Sequence, residues 1–418
     1  MILDVCSYDG PDTVGGPYAW LRRMPLALRE RGHEIRVHLF SWQDPETGAG
    51  ASFLREQGIP VSAFPFEDTR SNIRHLLEAA APAPPDVFVA NHVVPAYYAS
   101  AWFRKAGIPT IGIFRSDEPF YHDLARRFVH GPRPFRLSAA VAVSRHLESL
   151  IAAKVSADTT VRWIPSGTPL PETTVFPPAD TFRIAYVGRL VEKQKRIGET
   201  LEALLRVTAE VPGTEAVFYG DGPEREGLEE RIRSAEATER IRLAGAVPAE
   251  EITDHLLRCH AVVLLSDHEG TPTALKEAMA CGCVPVAFRL RSGIPDLVKD
   301  GVHGLLVDDR GDAVVDAIRR LRRDANLWKR LSDAARTRVE EQFSVDHCAD
   351  AWCDLLEQLA ADAGPRGALP LSYQPRLPRP LAGFRHQDIR PAPSPNPARR
   401  ARRWLGAMRR KISLSPVN

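Results

Sequence analysis

The sequence predicts an α/β protein of two doubly wound domains facing across a cleft, followed by a basic, Pro-rich tail. Three observations carry this expectation. Short apolar runs alternate with amphipathic stretches, the pattern of a parallel sheet covered by helices on both faces. Two such series of similar length flank VRWIPSGTPLPETTVFPPAD (161–180), whose Pro, Gly and Thr content reads as a linker. Near residue 361 the composition shifts: residues 362–418 hold 12 Lys and Arg against two Asp and Glu, and 10 of the 35 prolines.

In the first series the expected strands are ILDVC (2–6), IRVHL (35–39), VFVA (87–90), TIGIF (110–114) and AVAV (140–143). The helix YAWLRRMPLALRER (18–31) ends at Gly32, a residue able to take the left-handed conformation that stops a helix. Gly-Ile-Pro occurs at 58–60 and 107–109; each time a helix stops at the Gly and the Pro leads into extended chain. The second series supplies RIAYV (183–187), EAVFY (215–219), IRLAG (241–245), AVVLL (261–265), VPVAF (284–288) and GLLV (304–307). Longer helices are expected at 312–324, 327–342 and 345–361. In sheets of this kind ligands bind beyond the strand C-termini, beside helix N-termini, so a cleft binder is expected.

Of 418 residues, 44% are apolar and 26% charged, which excludes a disordered chain, a collagen and a polytopic membrane protein. No apolar run is long enough to span a membrane, and MILDVCSYDG shows no secretory signal, so a cytoplasmic protein is expected. Six cysteines at these spacings suit neither a disulfide framework nor a zinc site and read as small buried residues.

The most informative segment is SDHEGTPTALKEAMACGCVPVAF (266–288). A buried strand enters a polar loop, and Thr271-Pro272 reads as the N-cap and first residue of a helix. The N–H groups of that first turn favour an anion such as a phosphate. Glu269 lies just before this point and Glu277 eight residues later; a carboxylate there suits a pair of sugar hydroxyls. Each Glu alone also reads as a solvated surface residue. The second segment is AYVGRLVEKQKR (185–196), where Arg189 and Lys195 follow the strand end at Gly188. A guanidinium fork and a lysine point charge match a diphosphate, although a solvated basic loop has the same look.

Glu269 and Glu277 in an E-x7-E frame, with the GRL…K loop, resemble the retaining nucleotide-sugar glycosyltransferases of family 4. The resemblance implies the GT-B fold, two Rossmann-like domains across a cleft, and covers residues 1–361. TVGGP (13–17), AVAVS (140–144), IPSG (164–167), FYGDGPE (218–224), LAGAV (243–247) and DGVHGLLV (300–307) support it. It implies that Arg189 and Lys195 neutralise the donor diphosphate and that the backbone of Gly270, Thr271 and Thr273 holds sugar and phosphate. Glu269 would contact the donor sugar, Glu277 the ribose, Gly15 and Gly16 the diphosphate, and Ala246-Val247 the base. No metal and no cofactor is implied beyond the nucleotide sugar itself. Residues 1–170 would shape the acceptor side, 171–343 bind the donor, and 344–361 return to the N-domain.

One position departs from the family pattern. A strand that often ends in His near the reacting sugar here ends in Arg115, which cannot act as a base. His92 and His122 lie near in sequence. An inactive donor-binding relative and a nucleotide-sugar epimerase of the same fold therefore stay open. In the tail, 365–397 reads as a flexible tether, and ARRARRWLGAMRRKI (398–412) reads equally as a solvated, disordered end or as an amphipathic helix for an anionic membrane surface. Such docking, on the inner face of the membrane, fits a lipid-linked or saccharide acceptor; nucleic acid fits the single aromatic of that stretch less well.

Overall fold

The computed structural model describes residues 1–10, 15–156 and 158–390. The first sheet contains β1 (Ile2–Asp9), β2 (Glu34–Ser41), β3 (Val61–Pro65), β4 (Val87–Ala90), β5 (Thr110–Phe114), β6 (Ala139–Ala142) and β7 (Thr160–Trp163). The second contains β8 (Phe182–Val187), β9 (Thr214–Tyr219), β10 (Ile241–Gly245), β11 (Ala261–Leu264), β12 (Val284–Phe288) and β13 (Leu305–Val307). Their orders are β3-β2-β1-β4-β5-β6-β7 and β10-β9-β8-β11-β12-β13, with every pairing parallel. Each order reverses once, between β1 and β4 and between β8 and β11. At such a switch point the connections leave on opposite faces of the sheet and a crevice opens beyond the strand C-termini.

The all-apolar runs of β4 and β6 are buried along their whole length, as expected where helices cover both faces. β3 and β7 are the two sheet edges, and neither has a fully buried side chain. That half-buried character is why Val61–Pro65 showed only as extended chain after a Pro, and why Thr160–Trp163 merged into the linker. Helix starts follow local chemistry: Asp68 accepts from the N–H of Arg70 at 2.9 Å, and the hydroxyls of Ser144 and Ser344 cap the helices Arg145–Ala152 and Val345–Ala361.

The chain passes between the two units twice, side by side. The N–H of Thr168 donates to the Phe343 carbonyl at 2.8 Å, and that of Val345 to the Thr168 carbonyl at 3.1 Å. The helix Val345–Ala361 then buries Trp352, Leu355, Leu356 and Leu359 in the core of the first unit, with the rings of Trp352 and Trp20 5.4 Å apart.

The stretch expected to be a flexible tether is packed over most of its length. Residues 365–390 form a strap over the first unit, with Leu369, Leu377 and Phe384 in its core. Asp388 is buried and accepts hydrogen bonds from Thr69 at 2.9 Å and Tyr98 at 3.0 Å, and it pairs with Arg390 at 2.7 Å. Proline content signals extended chain, but it does not by itself signal freedom: widely spaced apolar anchors hold the segment down. Residues 391–418, including the amphipathic stretch 398–412, lie outside the described residues. Among the described residues, no helix is long and apolar enough to cross a membrane.

Candidate active site

Both sheets turn their strand C-termini toward the cleft, and the loops there bring the sequence-predicted residues together unevenly. After β8, a short helix Glu192–Lys195 carries Lys195 to the loop after β11, where its Nζ lies 2.6 Å from Glu269 Oε1. The two loops are also stitched through Gln194, whose carbonyl accepts from the Asp267 N–H at 2.9 Å and whose amide donates to the His268 carbonyl at 3.1 Å. Lys195 and Glu269 are mostly buried, so their attraction is weakly screened. Arg189 stays exposed, and among the described residues its guanidinium makes a 3.4 Å contact to Gln194.

The helix expected to begin at Thr271-Pro272 runs Thr273–Ala280, with Pro272 at the N-cap. Thr271 is not the cap: its hydroxyl donates to the Val143 carbonyl of the first unit. Gly270 is equally committed, since a Cβ there would strike the carbonyl of Arg115. The loop expected to hold sugar and phosphate therefore also docks the two units. Thr273 opens the helix, half-buried. Four residues on, Glu277 pairs with Arg23 of the helix Gly16–Glu30. Gly15 caps that helix with φ 120°, a conformation that favours glycine, and a Cβ at Gly16 would meet nothing within 4 Å. Ala246 is exposed and Val247 half-buried after β10.

The acceptor-side candidates are held more tightly. Arg115, 7% exposed at the end of β5, donates from Nε to Asn91 Oδ1 at 2.9 Å and from Nη1 to Ser166 Oγ at 3.0 Å. Burial pushes its pKa down to about 10, so it stays charged at neutral pH. His92, with φ 67°, contacts the Tyr121 hydroxyl through Nδ1 at 2.7 Å. Burial, then the Arg115 charge, lowers its pKa to about 3, and the ring is neutral. His122 belongs elsewhere, 2.7 Å from Asp117, which Arg291 of the second unit also reaches at 2.8 Å.

Sequence reasoning missed Arg23, Asn91, Ser166 and Lys276. Lys276 is fully buried, donates to the Ser166 carbonyl, and has its pKa lowered by burial to about 8. Its one signal was a cation beside Glu277 in ALKEAMA, otherwise made of Ala, Leu and Met, and easily read as a surface partner of that Glu. Among the described residues, no cluster of three or more His, Cys, Asp or Glu is suited to a metal ion.

Residues 175–338 match the family model described as glycosyl transferases group 1. The lipopolysaccharide core biosynthesis glycosyltransferase LpsD of Rhizobium meliloti is 27% identical over 352 residues, 83% of this chain and 96% of its own. The amylovoran biosynthesis glycosyltransferase AmsK of Erwinia amylovora is 33% identical over 187 residues, 43% of this chain and 45% of its own. Among solved structures, Anabaena HepE in complex with UDP superposes with TM-score 0.69 at 20% identity, over 85% of this chain and 99% of that one. Fold and family match converge: residues 175–338 match the group 1 glycosyl transferases, and the chain is a nucleotide-sugar glycosyltransferase of the GT-B fold.

Proposed function

We propose that the chain moves a sugar from a nucleotide-diphosphate donor to an acceptor hydroxyl with retention of configuration and without a metal ion. The observation that carries this reading is the 2.6 Å Lys195–Glu269 pair, which sets a cation beside a sugar-binding carboxylate at the ends of β8 and β11. Arg189 and Lys195 receive the charge that develops on the leaving diphosphate, the place where preorganised donors lower a barrier most. Glu269 takes hydroxyls of the transferred sugar and Glu277 those of the ribose. Gly15, Gly16, Gly270, Thr271 and Thr273 offer backbone to diphosphate and sugar, and Ala246-Val247 lies against the base. Residues 1–170 shape the acceptor side, with His92 and Arg115 near it, and 171–343 bind the donor. With Arg115 charged and His92 neutral and hydrogen-bonded, neither is set up as a strong base. In a one-step retaining transfer the departing diphosphate oxygen lies on the attacked face and is placed to take the acceptor proton.

The HepE complexes with UDP and with UDP-glucose support a uridine donor for this chain. The names of LpsD and AmsK support a lipid-linked or saccharide acceptor. The basic and apolar residues of 398–412 support docking of the enzyme on an anionic membrane surface. The test is release of sugar from a panel of nucleotide sugars, with the anomeric configuration of the transfer product read by NMR. An inverted product, or no release from any donor, overturns the reading.

A further inference from the structure

Arg115 is a buried charge without an ion-pair partner among the described residues. Its Nε and Nη1 hydrogens go to neutral acceptors, Asn91 at 2.9 Å and Ser166 at 3.0 Å, while the buried Nη2 has no partner. The leading titratable influences on it are the phenols of Tyr121, Tyr97 and Tyr8. Its surroundings add cations: Lys276 feels both Arg23 and Arg115, and Glu277, a carboxylate that acts on Lys276, is already paired with Arg23. Among the described residues, Lys276 and Arg115 are thus neighbouring buried cations, neither of them in an ion pair. Removing a guanidinium from water without a counter-charge is expensive, and buried charges are ordinarily paired. A fold that keeps Arg115 here has kept a place for an anion. The Arg115 backbone carbonyl packs on Gly270, next to Glu269, so Arg115 itself adjoins the loop assigned to the transferred sugar.

We infer that the saccharide handled at this site carries an anionic group, a carboxylate or a phosphate ester, and that Arg115 receives it through Nη2. This inference rests on the proposed donor site. The group sits either on the transferred sugar or on the acceptor sugar, since both meet at the reacting centre. The planar fork of Arg suits either oxyanion, whereas a neutral hydroxyl leaves the excess charge uncompensated.

The experiment uses the full chain and calorimetric titration. UDP, GDP, ADP and dTDP are tested first; if none binds, the donor-site reading itself fails, and this inference with it. With the base that binds, the nucleotide hexose is compared with the nucleotide hexuronate. In a second arm, with the nucleoside diphosphate saturating, glucuronate and glucose 6-phosphate are compared with glucose. Wild-type protein is expected to prefer the anionic form about tenfold or more in one arm, which identifies the sugar that bears the charge. Arg115→Gln and Arg115→Met should each abolish that preference while binding the nucleoside diphosphate as wild type does. Absence of preference in both arms, or its survival in the variants, overturns the inference. So does loss of nucleoside diphosphate binding by folded variants, because Arg115 would then serve the diphosphate. The wild-type comparison stands by itself if a variant fails to fold.

Discussion

The carbonyl oxygen of Arg115 lies so close to the α-carbon of Gly270 that a methyl group there would collide with backbone. The carbonyl of Gly270 in turn leaves no room for a Cβ at Gly293. One glycine thus sets how closely the strand end after β5 approaches the loop after β11.

Gly270→Ala should therefore impair closure more than folding. Overpacking typically costs about 1–3 kcal/mol, and here opening the cleft relieves it. Turnover is expected to fall at least about tenfold, with the melting temperature nearly unchanged. A wild-type rate in Gly270→Ala would show that the contact is dispensable.

Arg189→Ala and Lys195→Ala should each cut turnover roughly a hundredfold, about 3 kcal/mol, in steady-state assays with the identified donor. Lys195→Ala also leaves the mostly buried Glu269 without its partner and should lower thermal stability; Arg189→Ala, at an exposed position, should not.

Glu277→Gln should weaken binding of the free nucleoside diphosphate, whereas Glu269→Gln should mainly lower turnover. Because Arg23 pairs with Glu277, a cycle of Arg23→Gln, Glu277→Gln and the double variant should show a coupling of about 0.5–3 kcal/mol in calorimetric affinity. Additive losses would mean that Arg23 does not orient the carboxylate.

EDTA should leave turnover unchanged if, as proposed, Arg189 and Lys195 supply the cationic contacts to the diphosphate. Loss of activity restored by magnesium or manganese would contradict this.

The neutral state of His92 gives the fold a defined sensitivity to acid. Its folded pKa of about 3 lies below the ordinary 6.5, so between these values the unfolded chain binds more protons. Its contribution to stability is complete above pH 6.5 and shrinks as the pH falls toward 3. His92→Asn, which tolerates the positive φ at this position, should flatten the decline in melting temperature between those limits.

Most strands were legible because a doubly covered parallel sheet writes itself as uninterrupted apolar runs; β4, Val87–Ala90, and β5, Thr110–Phe114, have the bounds expected of them. The edges β3 and β7 were faint because they bury less. In the site, Lys195 and Glu269 were each visible locally, but their 2.6 Å contact joins residues 74 positions apart. Arg23 was hidden for the same reason in stronger form: its helix offers several arginines, and only the approach of Glu277 from the other unit distinguishes this one. The strap was misread because Pro and Arg content outweighed three scattered apolar anchors.

That strap has a consequence for synthesis. The second unit closes its core from one contiguous stretch and can fold once residue 343 has been made. The first unit cannot finish in the order it is written: Tyr98 waits for Asp388, Trp20 for Trp352, and Phe128 for Phe384. The later-translated unit is thus complete first, and the earlier one remains an unfinished substrate for chaperones until residues 345–390 arrive.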